Sequence, residues 1–128
     1  MMTLHKGSCH CKAVTFTVRA PSDLLASYCN CSICKATGFV HLIVDKDDFT
    51  LLTGKDDISI YTFNTGTAKH TFCKHCGIKS FYTPRTHPNG FSINVNCLDH
   101  KTINSITYTD FDGANWEASV DDFKQRLT

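Results

Sequence analysis

The chain has 128 residues, 41% of them hydrophobic, with thirteen Lys and Arg against twelve Asp and Glu, for a net charge of +1. That length fits one globular domain spanning residues 1–128 with a modest core, and the near-neutral balance gives no basic footprint for nucleic acid. The opening residues MMTLHKGSCHC hold no apolar run of signal-peptide length, and no stretch approaches about 18 uninterrupted apolar residues, so neither export nor a membrane span is expected.

Short strands separated by turn residues are predicted along most of the chain. Val14, Phe16 and Val18 alternate with Thr15, Thr17 and Arg19, the period-two pattern of a half-buried strand, and Pro21 closes it. Phe39 to Val44 (FVHLIV) is a second apolar run, short and rich in β-branched residues. Phe49 and Leu51 alternate before Gly54, and Ile58 to Phe63 gives another strand. Asn64 to Thr67 (NTGT) is a turn signal ahead of Ala68 to Phe72, which predicts a hairpin. Further strands are expected at Ile78 to Tyr82, Phe91 to Val95 and Ile106 to Phe111, with Pro84 to Gly90 as loop. Trp116, Val120, Phe123 and Leu127 recur at helical spacing behind Asn115, a suitable N-cap, so a short C-terminal helix is expected. The expected class is mainly β.

Eight cysteines in a chain without an export signal belong in a reducing compartment, the cytoplasm or nucleus, where they serve as metal ligands rather than disulfides. Seven of them cluster: Cys9 and Cys11 as C-x-C, Cys29, Cys31 and Cys34 as C-x-C-x-x-C, and Cys73 and Cys76 as C-x-x-C followed by Gly77. A C-x-x-C turn converges two sulfurs on one ion, and the glycine after it can take the positive φ such turns need. C-x-C in extended chain points both side chains to one face. Seven ligands divide as four plus three, a closed structural zinc and an open one that keeps a place for water or substrate, two zinc ions per chain. The compact CNCSIC is the obvious three-ligand unit, which leaves Cys9, Cys11, Cys73 and Cys76 for the closed site. The spacing also permits a ribbon in which Cys31 and Cys34 join Cys73 and Cys76. Cys97 stands alone and reads as a small buried residue.

Three thiolates make zinc a weak Lewis acid but a good holder of a soft fourth ligand, and a coordinated thiol loses its proton outright. The chemistry expected is therefore attack of an external thiol on an electrophilic carbon such as an aldehyde. Lys35, beside the cluster, is a candidate for offsetting the charge, although an exposed lysine at a turn is ordinarily just solvated. His41 and His70 are candidates for touching a substrate, although each reads more readily as packing or surface, and His75, a candidate fifth ligand, reads more readily as a solvated knuckle tip. H-E-x-x-H, P-loop and zinc-deaminase motifs are absent.

The segments GSCHCKAVTF, YCNCSICKATG, YTFNTGTAKHTFCKHCGIKSFY and NVNCLD, in that order, resemble the glutathione-dependent formaldehyde-activating enzyme family over about residues 5–120. FNT, HTFCKHCG and SFYTPR resemble its animal centromere protein V branch most. The resemblance implies a mainly β fold of the Mss4-like, tent-shaped kind. It also implies structural zinc at Cys9, Cys11, Cys73 and Cys76 and catalytic zinc at Cys29, Cys31 and Cys34. The activity implied is addition of glutathione to formaldehyde, giving S-hydroxymethylglutathione, a carbon–sulfur lyase reaction in reverse. The expected partners are thus glutathione or another small thiol plus an aldehyde. The alternative is a non-catalytic two-zinc binding module acting through protein partners. A long basic, proline-rich N-terminal extension of the centromere protein V kind is not expected.

Overall fold

Phe16 shows how the chain closes on itself. It lies on an alternating strand, is fully buried, and packs against Phe49 at 5.6 Å and Phe81 at 5.4 Å between ring centroids. Those three rings come from separate parts of the sequence, and Phe91 extends the group, 4.4 Å from Phe49. The computed structural model describes residues 2–63, 68–84 and 87–111.

Three sheets surround this cluster. The first orders β1 (Met2–Ser8), β2 (Thr15–Pro21) and β5 (Phe49–Thr53) as β1-β2-β5, both pairings antiparallel. The second is five-stranded. It runs β10 (Ser105–Phe111), β3 (Asp23–Cys29), β4 (Val40–Asp45), β9 (Gly90–Asn94), β8 (Phe81–Tyr82), and only the β10–β3 pair is parallel. The third is the antiparallel hairpin of β6 (Ile58–Tyr61) and β7 (His70–Cys73). Phe16 and Phe49 from the first sheet meet Phe81 and Phe91 from the second, so the two layers share one apolar core.

Mainly β is the class observed, with one short helix among the described residues, α1 (Ser32–Thr37), inside the CNCSIC segment. The sequence read that segment only as a turn, because six residues are too few to display helical periodicity. Two strands were not predicted. In β1 only His5 is buried, so no apolar alternation marks it. β3 carries buried Leu24, Ala26 and Ser27, which breaks the period of two. The expected strand at Ile78 to Tyr82 shrinks to Phe81–Tyr82, since the chain is still leaving the cysteine turn at Ile78. The helix expected from Asn115 onward lies outside the described residues. No helix of the described residues is long and apolar enough to cross a membrane.

Two details fix the N-terminal strand. His5 is fully buried, its Nδ1 2.6 Å from Thr102 Oγ1 and its Nε2 donating to Pro21 O at 3.1 Å. Gly7 lies directly beneath the Phe16 ring, where a Cβ would stand 2.4 Å from the ring tip. Only glycine allows that approach.

Candidate metal centres

The first centre is built from two tight turns that face each other. Between β1 and β2 the chain reverses through CHCKA, with Cys9 N donating to Val14 O at 3.0 Å and Lys12 at a positive φ of 66°. After β7 a second reversal has Gly77 N donating to Cys73 O at 2.8 Å, with Gly77 at φ 76° as its position after C-x-x-C led one to expect. Backbone N–H groups of Val14 and His75 point at Cys9 Sγ and Cys73 Sγ, each at 3.4 Å. The four sulfurs of Cys9, Cys11, Cys73 and Cys76 all lie within 4.8 Å of one another. Cys9–Cys11 is 3.7 Å and Cys11–Cys73 is 3.6 Å. Tetrahedral zinc–sulfur bonds of about 2.3 Å place sulfurs roughly 3.8 Å apart, so this group fits zinc nearly as it stands. The ribbon combining Cys31 and Cys34 with Cys73 and Cys76 is not the arrangement found.

The second centre forms where β3 hands over to β4. Cys29 ends β3, Cys31 is the extended N-cap residue of α1, and Cys34 is buried in the helix. Gly38, at φ 65°, caps the helix by donating its N–H to Cys34 O, and the chain returns antiparallel as β4. Ser27 is opposite His41 in that pairing. Because side chains alternate along a strand, Ser27, Cys29 and His41 share one face. The ligand atoms of Cys29, Cys34 and His41 come within 4.8 Å of one another. Interaction with Cys29 and Cys34 holds the Cys31 thiol well below the ordinary thiol range, while the same neighbours push Cys34 up. Cys31 itself lies outside the group of ligand atoms that converge within 4.8 Å.

A set of buried polar and aromatic groups encloses this centre. His41 Nδ1 is 2.8 Å from Ser92 Oγ and 3.3 Å from the Tyr82 hydroxyl, while its Nε2 is buried without a hydrogen-bond partner among the described residues. An orphaned buried nitrogen costs about 1–3 kcal/mol and calls for an explanation. Lys79 is only 7% exposed. Its Nζ donates to His70 Nδ1 at 2.7 Å and sits 3.9 Å from the Tyr82 ring centroid and 5.1 Å from that of Phe39. Both ion pairs among the described residues, Arg19–Asp48 and His75–Asp57, lie elsewhere. Burial lowers the Lys79 pKa to about 8 against the pull of Cys34, Cys31 and Cys29. Burial, then the Lys79 charge, lowers His41 to about 3 and His70 to about 4, so both imidazoles are neutral at physiological pH. Rings stack outward from Tyr82 through His70 at 4.9 Å and Phe63 at 5.3 Å to Tyr61 at 5.7 Å, and the last two are exposed.

Lys35 and His75 are exposed, as expected from the sequence, while other expectations change here. The cation near the triad is Lys79, whereas Lys35 is exposed on α1. His41 and His70 are buried rather than at the surface, and a ring nitrogen of His41 lies within 4.8 Å of the sulfurs of Cys29 and Cys34. His75 is exposed, and its Nε2 pairs with Asp57 at 2.8 Å. Cys97 lies in a 3-10 turn after β9 and is half-buried. Lys79 and Tyr82 were not singled out from the sequence, since nothing in GIKSFY marks either as facing a site formed some fifty residues earlier.

Both cysteine groups can hold metal ions, and their soft donors suit zinc. The model of the glutathione-dependent formaldehyde-activating enzyme family matches residues 4–111. A Halomonas elongata protein, provisionally named a glutathione-dependent formaldehyde-activating enzyme, is 33% identical over 81 residues. The match covers 57% of this chain and 52% of that protein, about half of the relative's length. The crystal structure of a Rhodobacter sphaeroides protein superposes with a TM-score of 0.67 at 32% identity, covering 81% of this chain and 99% of that one.

Proposed function

Since this chain belongs to the glutathione-dependent formaldehyde-activating enzyme family, we propose that it is a zinc protein of carbon–sulfur lyase type, which joins the thiolate of glutathione to an aldehyde such as formaldehyde and gives S-hydroxymethylglutathione. Cys9, Cys11, Cys73 and Cys76 hold a structural zinc in this reading, and Cys29, Cys31 and Cys34 a catalytic one. The observation that carries it is the buried Lys79, which lacks an acidic partner among the described residues and whose charge the CNCSIC thiolates favour. Lysine is almost never fully buried unless something offsets its charge.

A zinc held by Cys29, Cys31 and Cys34 would supply a place for a further thiolate and keep it deprotonated near neutral pH. The chain's own residues supply the rest. Lys79 brings positive charge to a place where thiolate charge accumulates, and it remains the cation available as negative charge moves to the aldehyde oxygen. When sulfur adds to the carbonyl carbon, the carbonyl π pair goes to oxygen, and a proton from solvent completes the hydroxymethyl group. Phe39 and Tyr82 exclude water from around Lys79, which strengthens its field. Neutral His70 orients the ammonium through the 2.7 Å bond.

The test is a titration of the zinc-loaded protein with glutathione, followed by addition of formaldehyde. Binding with release of about one proton per site near neutral pH is expected, as is adduct formation faster than in a protein-free control. Cys34→Ser should show neither. Thiol binding without acceleration would instead favour a non-catalytic binding module of centromere protein V type. No thiol binding, with zinc present in the triad, would refute the proposal.

A further inference from the structure

We infer that His41 supplies, through Nε2, a fourth ligand to a metal held by Cys29, Cys31 and Cys34, so that the resting centre is a closed Cys3His set rather than an open three-thiolate one. The inference rests on the metal-holding part of the function proposed above and adds to it a residue outside the cysteine motif.

Three observations converge on Nε2. The first is its orphaned state: His41 is 4% exposed, and Nε2 is a buried polar atom without a hydrogen-bond partner among the described residues. The second is orientation. Nδ1 is taken by Ser92 Oγ at 2.8 Å, with the Tyr82 hydroxyl at 3.3 Å. In the inferred state Nδ1 carries the proton, donated to Ser92, and the lone pair is on Nε2. A histidine that ligates a metal characteristically donates its other ring N–H to such a partner, which fixes both tautomer and ring plane. The third is proximity. His41 offers a ligand atom within 4.8 Å of the sulfurs of Cys29 and Cys34. Cys31, the N-cap residue of α1 between them, stands outside that group of three and would have to turn in to complete the set.

The geometry also excludes the ordinary explanation for a histidine beside thiols. A thiol donating to Nε2 would satisfy it, yet no thiol does so. Zinc–nitrogen bonds of about 2.0–2.1 Å and zinc–sulfur bonds of about 2.3 Å put the donors of one site roughly 3.5–3.8 Å apart. A contraction of about an ångström brings this group to that spacing. His70, the other buried histidine nearby, differs because its Nδ1 already accepts from Lys79. The fold explains why position 41 is suited to the role. Its strand pairs with β3 so that His41 stands opposite Ser27, two residues before Cys29 and on the same face. A thiol binding at this centre then competes with an imidazole, giving up its proton to solvent and freeing neutral His41.

Cadmium NMR of the cadmium-loaded full chain, with nitrogen-labelled histidine, tests this without glutathione or aldehyde. Two cadmium resonances are expected. One should couple to the Nε2 of His41, and the other, from the four-cysteine centre, should couple to no nitrogen. In His41→Ala the first resonance should shift and lose its coupling. The second should stay in place, which also reports that the variant is folded. Two resonances without nitrogen coupling in the unmutated protein would overturn the inference while leaving the metal-binding reading intact. A single resonance from the four-cysteine centre would overturn both.

Discussion

Replacing Lys79 by Met should make the protein more stable and less able to bind a thiol. Burial lowers the lysine's pKa from 10.5 to about 8. The folded chain thus binds fewer protons than the unfolded chain between those values, and stability rises with pH across that window. The stabilisation is complete above the unfolded value and is lost as pH falls through about 8. At neutral pH, keeping the ammonium buried costs roughly 3 kcal/mol, because every tenfold loss of proton affinity on folding is worth about 1.4 kcal/mol. Removing it also forfeits the 2.7 Å hydrogen bond to His70, worth about 1 kcal/mol. Met is unbranched and close in length, so it should refill the space between Phe39 and Tyr82. The expected net gain is about 2 kcal/mol at pH 7, falling to near zero at about pH 9.5, where most of the penalty has titrated away. Urea denaturation of both zinc-loaded proteins at the two pH values measures it, with glutathione titrations alongside. A variant less stable than the parent at pH 7, or a difference that ignores pH, would show that Lys79 is not held charged against its burial. Unchanged glutathione binding would remove the lysine from the proposed chemistry.

Two other substitutions probe the centres and the core. Cys76→Ser should abolish soluble folded protein, because its centre joins the β1–β2 turn to the turn after β7 and metal affinity there is folding free energy. Cys34→Ser should remain folded with one zinc per chain by elemental analysis, and equal unfolding of the two would refute their different roles. Gly7→Ala should lower stability by about 1–3 kcal/mol through overpacking, since the new methyl would meet Phe16 ring carbons at 2.4 and 2.6 Å and Leu98 at 3.1 Å. An unchanged melting temperature would mean that the Phe16 ring can move aside.

What the sequence could disclose depended on how local the signal was. β2 alternates cleanly because one of its faces meets the core, so Phe16 and Val18 mark it without help from other segments. The cysteine clusters were equally plain, since sulfurs two or three residues apart have few other uses at that density. His41 was legible only as an anomaly, a polar residue in an otherwise apolar strand, and its meaning depended on pairing with β3 across the helix turn. Lys79 carried no local signal at all. Its burial comes from Phe39, His70 and Tyr82, and its relation to the triad appears only once β4, β7 and β8 are assembled.

The parallel pairing of β3 with β10 sets an order of assembly during synthesis. β3, which ends in Cys29, has seven register partners in β10 but only two in β4. The strand that presents the first triad cysteine therefore lacks most of its neighbours until residue 111 has left the ribosome. The four-cysteine centre needs nothing beyond Cys76, 35 residues earlier (111 minus 76), an interval of about 2–7 s at usual elongation rates. A nascent chain can thus bring its four-cysteine group together before the strand carrying Cys29 has its β10 partner.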